Sequence, residues 1–223
     1  MAVKIIARIK TREGEYLAIY DENKEAEFEF DWLTKEKYQF KLLALLAVLA
    51  DNHLAYRGTL GDMCDFLGVG RGNSRTNQKI KDSIDTLEQD GLLKKITDGR
   101  IFTLTLSKKA EKQRRVIRIK NDWVMVAKNY KNMPDKSESV DWEILLRVWL
   151  FLLDRGNGLD DPITNNDIAD ALGMTVGSVK NARSALTKDI QAIVTKKKYV
   201  GHNHCVGSEI TPTAWITDNR PAP

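Results

Sequence analysis

The chain has little cysteine: two residues, Cys64 and Cys205, in 223. Two thiols do not make the disulfide framework that staples small secreted domains. Cys64 lies in an apolar pattern and is expected to be a small buried thiol. Long apolar runs are also missing. The longest uncharged one, Leu42 to Ala50, has nine residues, well short of the ~20 that span a bilayer. The N-terminus, MAVKIIARIK, carries charges through its apolar stretch and does not have the shape of a secretory signal. These absences predict a soluble, cytoplasmic protein with no membrane partner.

The groupings that catalysis needs are also scarce. Gly68-Val69-Gly70-Arg71-Gly72 follows a helical pattern, not a strand, and no Gly-Lys-Ser/Thr accompanies it, so it is no nucleotide loop. His202-Asn203-His204-Cys205 is the one metal-like cluster, with Tyr199 nearby. Strand-borne His-x-His resembles the metal site of relaxases and rolling-circle nickases, but that pattern has an apolar residue where Asn203 stands. A structural zinc would need two more ligands at suitable spacing, and His53 and Cys64 are what is left. No nucleophile, base and orienting group stand together. The expectation is a non-enzyme without metal or cofactor.

Net charge is a modest +4. Its distribution is more telling: residues 107–136 hold ten Lys/Arg against three acids. Concentrated positive charge neutralises phosphates even when the total is small. The 42% apolar content argues against wholesale disorder.

Against this background the chain repeats itself. Residues 59–69 read TLGDMCDFLGV and residues 164–174 read TNNDIADALGM, 105 positions on. Both fit T-x-x-D-φ-x-D-x-L-G-φ, with φ apolar. Thr with Asp three residues on is a variant capping box, and Gly after an apolar residue suits a left-handed helix end. Each copy follows a helical apolar pattern, 35–51 with Thr34 as its cap and 141–155, and precedes another. The first of these runs over about 75–90, with Ile80, Ile84 and Leu87 inward. The second starts after Thr175, with Val179, Ala182, Leu186 and Ile190 inward. From the repeat Gly to the first inward residue is 12 positions in the first copy and six in the second, predicting a turn six residues longer in the first.

Two-residue alternation predicts strands at Leu92–Ile96 and Ile101–Leu106 about an Asp98-Gly99 turn. It also predicts Ile193–Lys198 and Cys205–Ile210. Residues 3–30 alternate as a small β-meander. The expected organisation is an N-terminal β appendage (1–33), a first domain (34–107), a basic linker (108–136), a second domain (137–216) and a tail (217–223). The fold class is mainly α with small β-hairpins (α+β). Within the linker, Val116, Ile117 and Ile119 suit a short strand.

Helix, helix, helix, hairpin, twice over, resembles tandem winged helix-turn-helix domains. The resemblance implies that the third helix of each reads double-stranded DNA and that the wing touches phosphate or minor groove. The outward residues are then Arg75, Gln78, Lys79 and Lys81 in the first copy, with Arg71 in the turn. In the second they are Thr175, Ser178, Lys180, Asn181, Ser184 and Lys188. Asp82, Asp85 and Glu88 limit insertion of the first helix to its early turns; the second meets no acid before Asp189. Wing candidates are Lys94, Lys95, Arg100, Lys196, Lys197 and Lys198, and Arg114 and Arg115 are the linker candidates. Edge-strand lysines equally serve to keep sheets apart.

The stretches KLLALLAVL (41–49), TLGDMCDFLGV, NQKIKDSIDTL (77–87) and the second copy resemble the tandem winged-helix replication initiators of plasmids and mobile elements. That resemblance implies binding to repeated origin sequences, recruitment of host replication proteins, and self-repression as a homodimer. Two reading helices in successive major grooves ~34 Å apart imply a site of ~20 base pairs with unlike half-sites. A transcriptional regulator contacting transcription proteins, and an adaptor using both modules for protein contacts, are the alternatives. Trp142, Trp149 and the β appendage are the candidates for self-association.

Overall fold

The computed structural model describes residues 4–11, 14–20, 24–50, 54–107, 115–156, 163–200 and 204–212. The chain is a mixed α+β protein that divides into two compact units, Met1–Asp122 and Trp123–Pro223.

In the first unit β1 (Lys4–Thr11) pairs with β2 (Gly14–Tyr20) as an antiparallel hairpin. The expected meander stops there, because β3 (Glu25–Glu29) pairs instead with a distant strand, β7 (Val116–Lys120). Complementarity is the physical reason. Ala26 and Phe28 of β3, and Ile117 and Ile119 of β7, are buried. Register sets Phe28 opposite Ile117 and Glu27 opposite Arg118, whose Nε donates to the Glu27 carboxylate at 3.0 Å. Apolar pairs on one face and opposite charges on the other both favour this match.

A 3-10 turn, Phe30–Thr34, buries Trp32 and Leu33. The Thr34 hydroxyl donates to the Asp31 carbonyl inside that turn, so Thr34 caps no helix. α1 therefore starts later than expected, at Lys37, and runs to Leu49 with Glu36 at its N-cap. It is buried on nearly all sides, as a central helix must be; Phe40, Leu42, Leu43, Leu45 and Leu46 are among its fully buried residues. Lys41 is buried too, and its ammonium donates to the Leu67 carbonyl at 3.5 Å.

There follow β4 (Ala55–Thr59), α2 (Leu60–Leu67), α3 (Ser74–Gln89), β5 (Leu93–Asp98) and β6 (Ile101–Leu106). The three strands form one antiparallel sheet in the order β4-β6-β5. β4 has no counterpart among the expected elements; its five residues include Arg57 and Gly58 and acquire strand character by pairing with β6. Asp98 pairs with Ile101, so the hairpin loop is Gly99-Arg100, one residue beyond the expected turn. Gly99 has φ +57°, the positive value that the first residue of a II′ turn requires.

The second unit contains most of α4 (Asn121–Asn129), then a 3-10 turn Tyr130–Asn132, α5 (Trp142–Gly156), α6 (Asn165–Leu172) and α7 (Val176–Lys188). The hairpin β8 (Ile193–Val200) with β9 (His204–Pro212) follows. α5 packs on α6 and α7. Trp142 and Trp149 are buried in this core, and Trp149 stacks on Trp123 at 5.8 Å between ring centroids. They offer no surface for self-association.

The sequence predicts a basic linker over 108–136 with a short strand at Val116, Ile117 and Ile119, and that strand is present as β7. The rest of its described part, 121–136, goes beyond a linker with α4 and the 3-10 turn, because Trp123, Val124, Ala127 and Tyr130 find core positions, as Ile117 and Ile119 do in β7. Among the described residues no helix is long and apolar enough to cross a membrane.

Candidate nucleic-acid interface

The two repeat copies fold into the same local structure. In α2 the Asp62 amide donates to Thr59 Oγ1 at 3.2 Å, and the Thr59 amide donates to the Asp62 carboxylate at 2.8 Å. In α6 the Asp167 amide donates to Thr164 Oγ1 at 3.1 Å and the Thr164 amide to Asp167 at 2.8 Å. Two orphan amides are satisfied in each box. The Thr164 hydrogen bonds hold the Asp167 carboxyl below its ordinary pKa. Gly68 (φ +69°) and Gly173 (φ +62°) then end the helices in the left-handed region that a Cβ disfavours. Each motif thus delivers the chain, at a defined angle, to the start of α3 or α7.

α3 begins at Ser74 with Asn73 as cap, its Oδ1 accepting from the Thr76 amide at 3.1 Å. Ile80, Ile84 and Leu87 face inward. Half of the six extra residues of the first copy lengthen the turn. The other half add a first helical turn to α3 ahead of Ile80, which α7 lacks ahead of Val179. The expected purely longer turn is corrected to this extent. Arg75, Gln78, Lys79 and Lys81 are all exposed on α3.

Three first-copy candidates are already engaged. Arg71 is exposed but makes a two-pronged ion pair with Asp65, through Nε at 2.7 Å and through Nη2. That bond raises the guanidinium pKa further. Gln78 Nε2 donates to Asp82 at 2.7 Å. The Lys95 ammonium bonds Asp85 and lies 3.7 Å from Glu88. Its pKa is raised, chiefly by the Asp85 bond. Lys95 thus offsets part of the negative charge of α3, while its neighbour Lys94 is exposed. Lys81 and Arg100 meet at a cleft of about 450 Å³ between the start of α2 (Thr59, Leu60, Gly61) and the hairpin (Gly99, Phe102). Cys64 is buried, as its pattern predicts, and its thiol donates to Asn77 Oδ1 at 3.3 Å. Burial, then Asp65, pushes its pKa up, which keeps it protonated.

In the second copy Thr175 is the N-cap of α7 and its Oγ1 accepts from the Ser178 amide at 3.2 Å. Their hydroxyls also bond each other at 2.8 Å, so both first serve the helix start. Lys180 and Lys188 are exposed, and Ser178, Asn181 and Ser184 are half-buried. Lys196, Lys197 and Lys198 lie in β8, in register with Glu209, Ser208 and Gly207. Arg115 is exposed, with its guanidinium 4.1 Å from the centre of the Phe30 ring. Arg114, His53, His202 and Asn203 lie outside the described residues, as does the tail 217–223. Among the described residues no three His, Cys, Asp or Glu side chains group as metal ligands.

Two supports of α7 escape sequence reasoning. Arg183 is buried and its Nη1 donates to Asn165 Oδ1 at 2.7 Å, tying α7 to the first residue of α6. Burial lowers its pKa. Asp189, at the C-cap of α7, accepts from Tyr130 Oη (2.5 Å), the Ser137 amide (3.0 Å) and Ser137 Oγ (2.9 Å). Burial alone would raise the Asp189 pKa; the bonds from Tyr130 and Ser137 lower it on balance. Tyr130 is pushed up to about 12 by burial and by Asp189. The acid at the end of α7 therefore faces its own unit. A polar residue on the inward stripe of a helix is the one hint of Arg183; nothing local signals that Asp189 meets Tyr130.

Comparison with protein-family models gave no matching family, and comparison with curated proteins gave no match.

Proposed function

We propose that this chain is a sequence-specific double-stranded DNA-binding protein built from two winged helix-turn-helix modules, with α3 and α7 as the reading helices and no catalytic step of its own. One observation carries the reading. The same capping-box helix, closed by a left-handed glycine, precedes two different helices whose outward faces are polar and basic. Reading helices need such faces: Arg pairs with guanine, and Asn or Gln with adenine, in the major groove. Arg75, Lys79, Lys81, Lys180 and Asn181 are the base- and phosphate-contacting candidates. Lys94, Arg100 and Arg115 are positioning contacts to the backbone. The process is initiation of replication at repeated origin sequences of a plasmid or mobile element, as the resemblance of 41–49, 59–69 and 77–87 implies.

The test is selection of bound fragments from a random duplex library by the full chain, at a stated near-physiological salt. A bipartite motif of ~20 base pairs with unlike halves supports two reading modules. Repeated copies beside an AT-rich stretch support initiation, whereas single sites at promoters would replace it with transcriptional regulation. No enrichment, with no salt-dependent retention, would sink the DNA reading and favour protein-binding modules.

A further inference from the structure

We infer that Val176 is a specificity-determining residue that reads the 5-methyl group of a thymine in the major groove; the inference rests on the proposal that α7 enters that groove. Among the described residues two large apolar side chains stand well exposed, Ile96 at 67% and Val176 at 45%. Val176 is the first residue of α7. A β-branched side chain there does little for the fold. Its χ1 is restricted in a helix, and its apolar surface is left in water.

The surroundings of Val176 suit one chemistry. Gly177 beside it has open space where a Cβ would stand, with no atom within 4 Å, so a flat partner can approach the backbone closely. Helical spacing sets Val176 in line with Lys180 and Gly177 in line with Asn181, each four residues on. Val176 and Lys180, one row of the helix, are both exposed. The thymine methyl is the apolar group that a base edge presents in the major groove, and it is the match for an exposed apolar side chain. The first residues of a reading helix are those that meet base edges.

The experiment replaces each thymine of the selected duplex, one at a time, by deoxyuridine, which keeps the pairing and lacks the methyl. Binding of the full chain is compared with that of Val176→Ala. Burying one methyl is worth roughly a fourfold change in affinity. One thymine, in one half-site, should therefore show about a fourfold loss with the wild type on removal of its methyl. Val176→Ala should bind the thymine duplex about as weakly and be indifferent to that methyl. Alanine suits a helix at least as well as valine, and a thermal melt of the variant checks that the fold persists. A methyl effect equal in both proteins, or none in the wild type, overturns the inference while leaving DNA reading intact. Absence of any selected duplex overturns DNA reading, and this inference with it.

Discussion

Asp189 accepts three hydrogen bonds from two residues more than fifty positions earlier, Tyr130 and Ser137. Its pKa is lowered, so its contribution to stability is complete above the unfolded value of about 3.9. That contribution is lost as pH falls through the folded value. Tyr130 works at the other end of the scale. Raised to about 12, it contributes fully below the unfolded value of about 10 and loses that contribution as pH rises through 12. Asp189→Asn should cost about 1 kcal/mol near neutrality, a charged hydrogen bond discounted for solvent. It should also flatten part of the acid arm of stability. Tyr130→Phe should flatten the arm above pH 10. Urea midpoints measured across pH test both; unchanged acid and alkaline arms would show that the cluster is energetically idle.

At the scale of elements, the two capping boxes have nearly the same geometry, so Thr59→Ala and Thr164→Ala should each cost about 1 kcal/mol. Equilibrium denaturation measures this, and a loss at only one site would show that the boxes are not equivalent. On the proposed DNA reading, the neighbouring lysines of the first hairpin have different tasks, since Lys95 is paired with Asp85 and lies near Glu88. Lys94→Gln should weaken binding to all duplexes alike and reduce the salt slope by about 0.9, one phosphate contact fewer. Lys95→Gln should leave that contact in place while uncovering Asp85 and Glu88. Salt titrations of both variants decide this; a larger slope change for Lys95→Gln would reverse the assignment. The strand pattern of 93–106 and the Thr, Asp and Gly of each box are local signals, and both were legible. The helix start at Lys37 was less so, since Thr34 spends its hydroxyl on Asp31 and Glu36 stands at the N-cap.

For the whole molecule, the proposal of two unlike reading helices, one in each unit, makes a separable prediction. Lys180→Ala with Asn181→Ala, in the full chain, should abolish selection of one half-site and leave the other in the enriched motif. Each well-formed base contact is worth about 1–3 kcal/mol of discrimination, enough to erase a half-site from a selection. Loss of both half-sites together, with the fold intact, would mean that the modules do not read DNA independently.

Elements carried by neighbours in the chain were readable in advance. The helical apolar stripes, the paired capping boxes, the left-handed glycines and the hairpins all depend on residues a few positions apart, and the duplication made each reading count twice. Long-range complementarity was not readable. β3 leaves the expected meander for β7 because Phe28 meets Ile117 and Glu27 meets Arg118 some ninety residues away. The strand at 116–120 was expected, but neither its partner nor the helix α4 that follows it was. Charge pairing was equally hidden: Arg71 and Lys95 count as free cations in a string of letters. In three dimensions Asp65 and Asp85 claim them, because an ion pair depends on the distance between side chains, and packing alone sets that distance.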